Sequence, residues 1–140
     1  MRPEITLIAE PASVRSARAF VTEALRNAAA PERWASVLLT SELVSNVLRH
    51  TDADVRVTIE VGPPIRIEVH DGVAATDAFE QVLTEAAVPP EAEAVSGRGI
   101  EFVHRLASRI GLGNDEDGGK FIWFELTSDS VTAAQRPGRV

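Results

Sequence analysis

The chain has 140 residues, of which 44% are apolar and none is cysteine, and its formal net charge is −7. This length supports one domain with its own core, and no apolar run approaches the roughly 18 residues that a membrane span needs. An acidic chain without a basic stripe is a poor match for nucleic acid, because phosphate recognition needs clustered Lys and Arg. The lack of cysteine excludes disulfides and thiol catalysis. Since residues 1–20 also show no signal-peptide pattern, we expect a cytoplasmic location.

The negative charge is concentrated in one segment. Residues 67–97 contain seven acidic residues and no Lys or Arg, whereas the other 109 residues balance at 14 acids and 14 bases. Two interpretations remain open. The segment is a solvated loop, or it is a surface that docks a basic partner.

The first half of the chain predicts one strand and two helices. The strand covers residues 5–9, and an amphipathic helix covers residues 11–27, with apolar side chains at helical spacing and arginines on the other side. Pro31 separates this helix from a second one, residues 34–50, which is apolar on two faces and therefore largely buried. We expect four aromatic residues to belong to the core: Trp34, Phe121, Trp123 and Phe124.

The second half predicts two hairpins and one or two further helices. Residues 55–61 and 65–69 alternate apolar and polar side chains around Gly62-Pro63-Pro64, which indicates an antiparallel hairpin with one buried face. A short helix over residues 78–87 and a loop follow, and then an amphipathic helix runs from 97 to 110. A last hairpin joins strands at 110–112 and 121–126 through a turn at 113–119. The polar residues 128–140 predict a disordered tail.

These elements indicate a single α+β domain over residues 1–127. Its architecture is expected to be a two-layer sandwich, in which a mixed, mainly antiparallel sheet is covered on one face by helices.

The most informative pair is Glu42 and Asn46 in the second helix. They are four residues apart, so they lie on one stripe between the two apolar faces. A carboxylate and an amide on a buried helix cost free energy unless something polar occupies the space before them. The pair is either part of a binding site or an ordinary polar seam. Two weaker features follow it: Asp71-Gly72 at a strand end, where Asp-Gly commonly marks a turn, and Gly97-x-Gly99 at a helix start.

In this order and context, the three features resemble the ATP-binding fold of the GHKL superfamily, which gyrase, Hsp90, histidine kinases and MutL share. Within it the chain is most similar to the small bacterial anti-sigma factors that act as serine/threonine kinases, the RsbW and SpoIIAB type. The similarity is carried by four segments: residues 42–50 resemble the N box, 67–72 the first glycine box, 97–103 the second glycine box, and 119–126 the closing strand.

The resemblance implies ATP and Mg²⁺ as cofactors. Glu42 would be the catalytic base that takes the proton of the attacking hydroxyl. Asn46 would bind Mg²⁺ through its amide oxygen, since this ion keeps most of its waters and takes few protein ligands. Asp71 would accept a hydrogen bond from the adenine amino group, with Gly72 beside it. The remaining nucleotide contacts would come from the helix start and from one further arginine: Gly97, Arg98, Gly99, Ile100 and Arg49.

The function implied is that of an ATP-binding anti-sigma factor, a transcription regulator that phosphorylates a STAS-type anti-anti-sigma protein and sequesters a sigma factor. A homodimer is implied too, with no nucleic-acid or membrane partner.

The alternative is a catalytically degenerate GHKL-type module that regulates a signalling partner by binding alone. Three features support it. The order Asp71-Gly72-Val73 departs from the Asp-x-Gly of the family, and Phe121 replaces a threonine of the closing strand. The expected lid, residues 73–96, has five acids and no cation to face a triphosphate of about −4 charge, so we expect an open lid or weak ATP affinity.

Overall fold

The computed structural model describes residues 2–48, 54–70, 105–114 and 119–135. The described elements are, in chain order, β1 (Glu4–Leu7), α1 (Ala12–Ala24), α2 (Ala30–Leu48), β2 (Val55–Glu60), β3 (Ile65–His70), β4 (Arg109–Asn114), β5 (Lys120–Leu126) and α3 (Ser128–Gln135). The strands form one sheet in the order β1-β2-β3-β5-β4, and each neighbouring pair is antiparallel. The predicted α+β fold is therefore confirmed.

The core lies between the sheet and the helices. Alternate residues of β2 and β3 face it, so that Val57 pairs with Val69 and Ile59 with Ile67, and all four side chains are fully buried. This confirms the hairpin that the alternation predicts. The helices cover this face, because Val21 of α1 and Leu43 of α2 are buried in the same cluster.

Helix α2 is buried around most of its circumference. Nine of its nineteen residues are buried, which explains why apolar residues occupy two faces of the sequence pattern. Pro31 lies in its first turn, where a missing backbone N–H costs no hydrogen bond. Trp34 departs from the predicted core, since 51% of its surface is exposed. Of the expected core aromatics, Phe124 is fully buried, whereas Phe121 and Trp123 are half-buried on the other face of the sheet.

The face of the sheet turned away from α1 and α2, which we call the distal face, is polar and aromatic. The ring of Trp123 lies across β4 at Gly111, where an added Cβ would come within 2.7 Å of the indole. The guanidinium of Arg66 lies 4.3 Å from the centroid of the same ring. Trp123 is thus held by a neighbouring strand and a cation rather than by the helix-covered core.

The boundary between the last predicted helix and strand is corrected. Ile110 belongs to both the predicted helix 97–110 and the predicted strand 110–112. In the structure it lies in β4 and pairs with Phe124. Strand β4 begins at Arg109 and extends to Asn114, so the predicted turn starts later than residue 113. Gly111 and Gly113 disfavour a helix here, and their missing side chains leave room for the rings of Trp123 and Phe121 in β5. Residues 97–104 and 115–118 lie outside the described residues.

The predicted disordered tail is wrong for residues 128–135, which form α3. Thr127 and Ser130 cap the helix reciprocally: Ser130 N–H donates to Thr127 Oγ1 at 3.0 Å, and Thr127 N–H donates to Ser130 Oγ at 3.1 Å. Val131 is fully buried against the core, and Ser128 Oγ donates to Glu32 Oε2 of α2 at 2.8 Å. One apolar anchor and a cap therefore order a segment of polar composition. Residues 136–140 lie outside the described part of the chain.

In the part of the chain that the structure describes, no helix combines the length and the apolar character needed to cross a bilayer.

Candidate functional site

The pair Glu42 and Asn46 lies near the carboxyl end of α2. Asn46 is 6% exposed and Glu42 is half-buried, so the amide is held inside while the carboxylate remains accessible. One helical turn, about 6 Å of rise, separates their Cα atoms along the axis. The stripe predicted from the sequence thus exists in the fold, and what it binds remains a prediction.

Chain connectivity brings this end of α2 to one end of the sheet. Helix α2 stops at Leu48, and β2 begins at Val55. Within the sheet, Arg56 near the start of β2 pairs with His70, the last residue of β3. Because the link from α2 to β2 is short, the stripe and the end of β3 lie at the same end of the sandwich. Asp71, the expected adenine contact, follows His70 directly in the sequence.

The other expected site residues lie outside the described residues, and their roles stay predictions. They are Arg49, Asp71, Gly72, Gly97, Arg98, Gly99 and Ile100, together with the acidic segment 73–96 and the short helix 78–87. The structure therefore brings together two site residues, Glu42 and Asn46, and fixes the strand from which a third extends.

The donor set of this stripe fits a magnesium nucleotide. Amide and carboxylate oxygens are ligands that Mg²⁺ accepts, and Mg²⁺ bound to phosphates needs few of them. No group of three or more His, Cys, Asp or Glu side chains suited to holding a metal ion occurs within residues 2–48, 54–70, 105–114 and 119–135. If Mg²⁺ binds here, Asn46 and Glu42 would supply only part of its ligands, and the phosphates of a nucleotide would supply others.

A groove of about 210 Å³ lies next to the same end of α2, but on another side of the helix. It is lined by Ala9, Glu10, Pro11, Val14, Ser45 and Leu48. Ser45 points about 100° away from Asn46 around the helix axis, since each residue advances the helix by that angle. The groove between α1 and α2 is thus distinct from the stripe, and we do not assign the nucleotide to it.

A buried polar cluster on the distal face, centred on Glu68, was not predicted from the sequence. This carboxylate is 6% exposed, and it accepts hydrogen bonds from Arg66 Nε at 3.0 Å and from His70 Nε2 at 3.0 Å. The guanidinium of Arg2 lies 3.5 Å from it. Burial opposes ionisation of Glu68, but the hydrogen bonds from Arg66 and His70 and the charges of Arg2 and Arg66 outweigh it and hold the pKa of this carboxyl below its usual value.

Glu68 therefore does not belong to a solvated acidic loop, as its membership of the acidic segment suggested. A signal for the cluster was present in the polar positions of the hairpin, where Thr58 pairs with Glu68 and Glu60 pairs with Arg66. Charged side chains at facing positions indicate a polar face, although Glu60 pairs with Arg2 and Arg66 pairs with Glu68 and Glu125.

The chain matches the model of one known protein family. The model of the histidine kinase-like ATPase domain matches residues 7–126, from the end of β1 to the end of β5. No curated protein matches the chain significantly. A domain of this GHKL type implies ATP binding, typically with Mg²⁺. Because the match spans most of the chain and its fold agrees, this protein belongs to the histidine kinase-like ATPase domain family.

Proposed function

We propose that this protein is an anti-sigma regulatory factor with serine/threonine kinase activity. It transfers the γ-phosphoryl group of ATP to a hydroxyl of a STAS-type anti-anti-sigma partner and sequesters a sigma factor. The observation that carries the proposal is the buried Asn46 with the accessible Glu42 one turn before it, at the end of the sheet where β3 leads into Asp71. The family match and the resemblance of residues 42–50 to the N box support it.

In this mechanism Asn46 and Glu42, both in α2, have separate roles. ATP would supply the phosphoryl group, and a bound Mg²⁺ would supply positive charge that offsets the charge of the phosphates. The amide oxygen of Asn46 would hold the metal, and burial in α2 restricts the rotamers of this side chain. Glu42 takes the proton as the partner hydroxyl oxygen bonds to the γ-phosphorus, while the bond to the β–γ bridging oxygen breaks and ADP leaves. Its half-buried position lets a partner side chain approach.

The second candidate is a binding module without turnover. One observation favours it: Phe121, which stands where we expected a threonine of the closing strand, lies on the distal face and stacks on His70. It offers no hydroxyl to a nucleotide. Together with the acidic segment, this would leave ATP weakly bound or absent, and regulation would proceed through protein contact.

Titration calorimetry with ATP, with and without Mg²⁺, separates the two candidates. The kinase predicts Mg²⁺-dependent binding in the micromolar range, about −8 kcal/mol, with GTP excluded. If no Mg²⁺-dependent binding is found, the kinase function is excluded and the binding module remains as the candidate. A transfer assay with γ-labelled ATP and purified STAS-type proteins then tests turnover, and binding to purified sigma factors tests the partner.

Three variants of α2 test the assigned roles. Asn46→Ala should abolish Mg²⁺-dependent binding and leave the domain folded, whereas Glu42→Ala should keep binding and lose transfer. Ser45→Ala is the matched control, because it lies on the same helix turn but lines the separate groove, so binding and transfer should persist. If Asn46→Ala unfolds the domain, the pair is a polar seam and not a nucleotide site.

A further inference from the structure

The groove between α1 and α2 lies beside Glu42. Ser45 borders this groove and is three positions after Glu42, whereas Asn46 is four positions after it. At about 100° per residue, Ser45 is turned about 60° from Glu42 in one direction and Asn46 about 40° in the other. The Cβ atoms of residues with either spacing are about 5–6 Å apart on a helix. Glu42 therefore has the groove on one side and the proposed magnesium ligand on the other.

The groove has the size and the polarity of a site for an amino-acid side chain. Its volume is about 210 Å³, whereas pockets for small molecules and cofactors measure about 300–1,000 Å³. Four of the described residues that line it are apolar: Ala9, Pro11, Val14 and Leu48. An apolar side chain that enters such a groove gains the free energy of leaving water. The groove thus suits a side chain of another protein better than it suits a nucleotide.

One wall of the groove, formed by the turn that precedes α1, is fixed by hydrogen bonds. The hydroxyl of Ser13, which is 5% exposed, donates to the carbonyl of Ile8 at 2.8 Å. The same carbonyl accepts from Glu10 N–H at 2.9 Å, and the carbonyl of Glu10 accepts from Ser13 N–H at 3.0 Å. A preformed wall loses little conformational entropy when a partner binds, so this turn favours docking.

Glu10 is the charged residue among those that line the groove. It is exposed, and within the described part of the chain its carboxylate forms no ion pair. Ile8, two positions earlier, is 56% exposed and extends the apolar surface beyond the groove. An apolar surface with a negative rim is complementary to a segment that carries an apolar residue next to a Lys or Arg.

We propose that the groove docks the segment of the partner protein that carries the phosphorylated hydroxyl, with an apolar side chain in the groove and a basic residue beside Glu10. The inference deepens the proposed function and rests on phosphoryl transfer with Glu42 as the base. The carboxylate must come within about 3 Å of the hydroxyl, and successive residues of an extended segment are about 3.4 Å apart. Since Glu42 and Ser45 are neighbours on α2, the apolar anchor lies within about three residues of the acceptor Ser or Thr. The partner and ATP then reach Glu42 from opposite sides.

The test fills the groove from its wall outside the helices. Ala9 is exposed and precedes α1, so the indole of Ala9→Trp can occupy the groove without displacing the core. Ala19→Trp is the matched control, because Ala19 is exposed on α1 and lies about 140° around the helix from Val14. The probe is the STAS-type protein that the parent protein phosphorylates. Calorimetry gives the ATP dissociation constant, and transfer kinetics give kcat and KM for the probe.

Ala9→Trp should raise the KM for the probe by about tenfold or more, because the burial of one apolar side chain is lost. The ATP dissociation constant and kcat should stay within about twofold, since the lost docking contact is the same in the ground state and the transition state. Ala19→Trp should keep all three values within about twofold of the parent protein. Glu10→Lys should raise KM by about threefold, and high salt should reduce this effect. If Ala9→Trp does not fold, Val14→Thr adds a hydroxyl to the wall at nearly the same shape and should raise KM by about threefold.

The outcomes separate the inference from the function beneath it. A parent protein that phosphorylates no STAS-type protein overturns the proposed function, and the inference falls with it. A parent protein that transfers phosphate, with an Ala9→Trp variant of unchanged KM, overturns the inference alone. Weaker ATP binding in Ala9→Trp would assign the groove to the nucleotide, and a changed oligomeric state in size-exclusion chromatography would assign it to a second copy of the chain. Either result also overturns the inference.

Discussion

Replacing Thr40 with valine should stabilise the domain. Thr40 and Ser36 lie one turn apart in α2, both fully buried, and within the described part of the chain neither hydroxyl has a hydrogen-bond partner. A buried hydroxyl without a partner costs about 1–3 kcal/mol in lost hydration. Valine has the same branched shape as threonine, so Thr40→Val removes this cost and keeps the packing. We expect a gain of about 1–2 kcal/mol in the free energy of unfolding.

The expected thermal shift follows from the size of the chain. With about 2.1 cal/mol/K of unfolding entropy per residue, the 140 residues give about 0.3 kcal/mol/K, so the melting temperature should rise by roughly 3–7 °C. Calorimetry measures this shift, and urea unfolding should show a higher midpoint with an unchanged slope.

The same substitution at Thr58 is the matched control. Thr58 is also buried, but its hydroxyl donates to Glu68 Oε1 at 3.4 Å, so Thr58→Val removes a hydrogen bond from a buried carboxylate. It should lower the melting temperature. If Thr40→Val lowers the melting temperature as well, the Thr40 hydroxyl makes an interaction that offsets the cost of its burial, and the predicted stabilisation is wrong.

Three further predictions concern stability. The pKa of Glu68 in the folded protein lies below its unfolded value of 4.5, so ionised Glu68 stabilises the fold above that pH, and this stabilisation is lost as the pH falls through the folded pKa. The melting temperature of Glu68→Gln should therefore fall less steeply than that of the parent protein between pH 7 and about pH 3. An equally steep fall in both proteins would contradict this. Gly113→Ala should lose about 1–3 kcal/mol in urea unfolding because the added methyl displaces Phe121, and a stability equal to the parent would show that the ring moves freely. Thr127→Ala should lose about 1 kcal/mol through the missing cap of α3, whereas the exposed Thr132→Ala should not; equal effects in thermal melts would argue against the cap.

The elements with a one-sided burial pattern could be predicted from the sequence. Strands β2 and β3 alternate because one face meets the core, and the turn residues between them set their pairing. The stripe of Glu42 and Asn46 was readable for a similar reason, since two residues on one helix have a fixed relative orientation. The periodicity of a sequence segment therefore predicts features that lie within a single helix or hairpin.

Contacts between distant segments could not be predicted in the same way. Glu68 was counted with an acidic segment, yet it is neutralised in part by Arg2, which lies 66 positions earlier in the chain. That pairing depends on the sheet register, which composition does not encode. Helix α3 was missed because its order depends on the burial of Val131 and on one cap, so its polar composition was misleading. Trp34 was misplaced because an aromatic residue on an apolar stripe can also lie at its exposed edge.

Polar side chains lie on both sides of the sheet. Asn46 lies on the helix-covered side and His70 on the distal side, whereas the intervening strand residues Ile67 and Val69 are fully buried in the core. A recognising group is oriented best when it extends from an element that packing already holds rigid. Stability and recognition should then separate by position, since a substitution at Thr40 should change only the unfolding free energy, whereas Asn46→Ala should abolish Mg²⁺-dependent nucleotide binding. A substitution at His70 should lower the unfolding free energy, because the Nε2–H group of this ring donates a hydrogen bond to the buried carboxylate of Glu68.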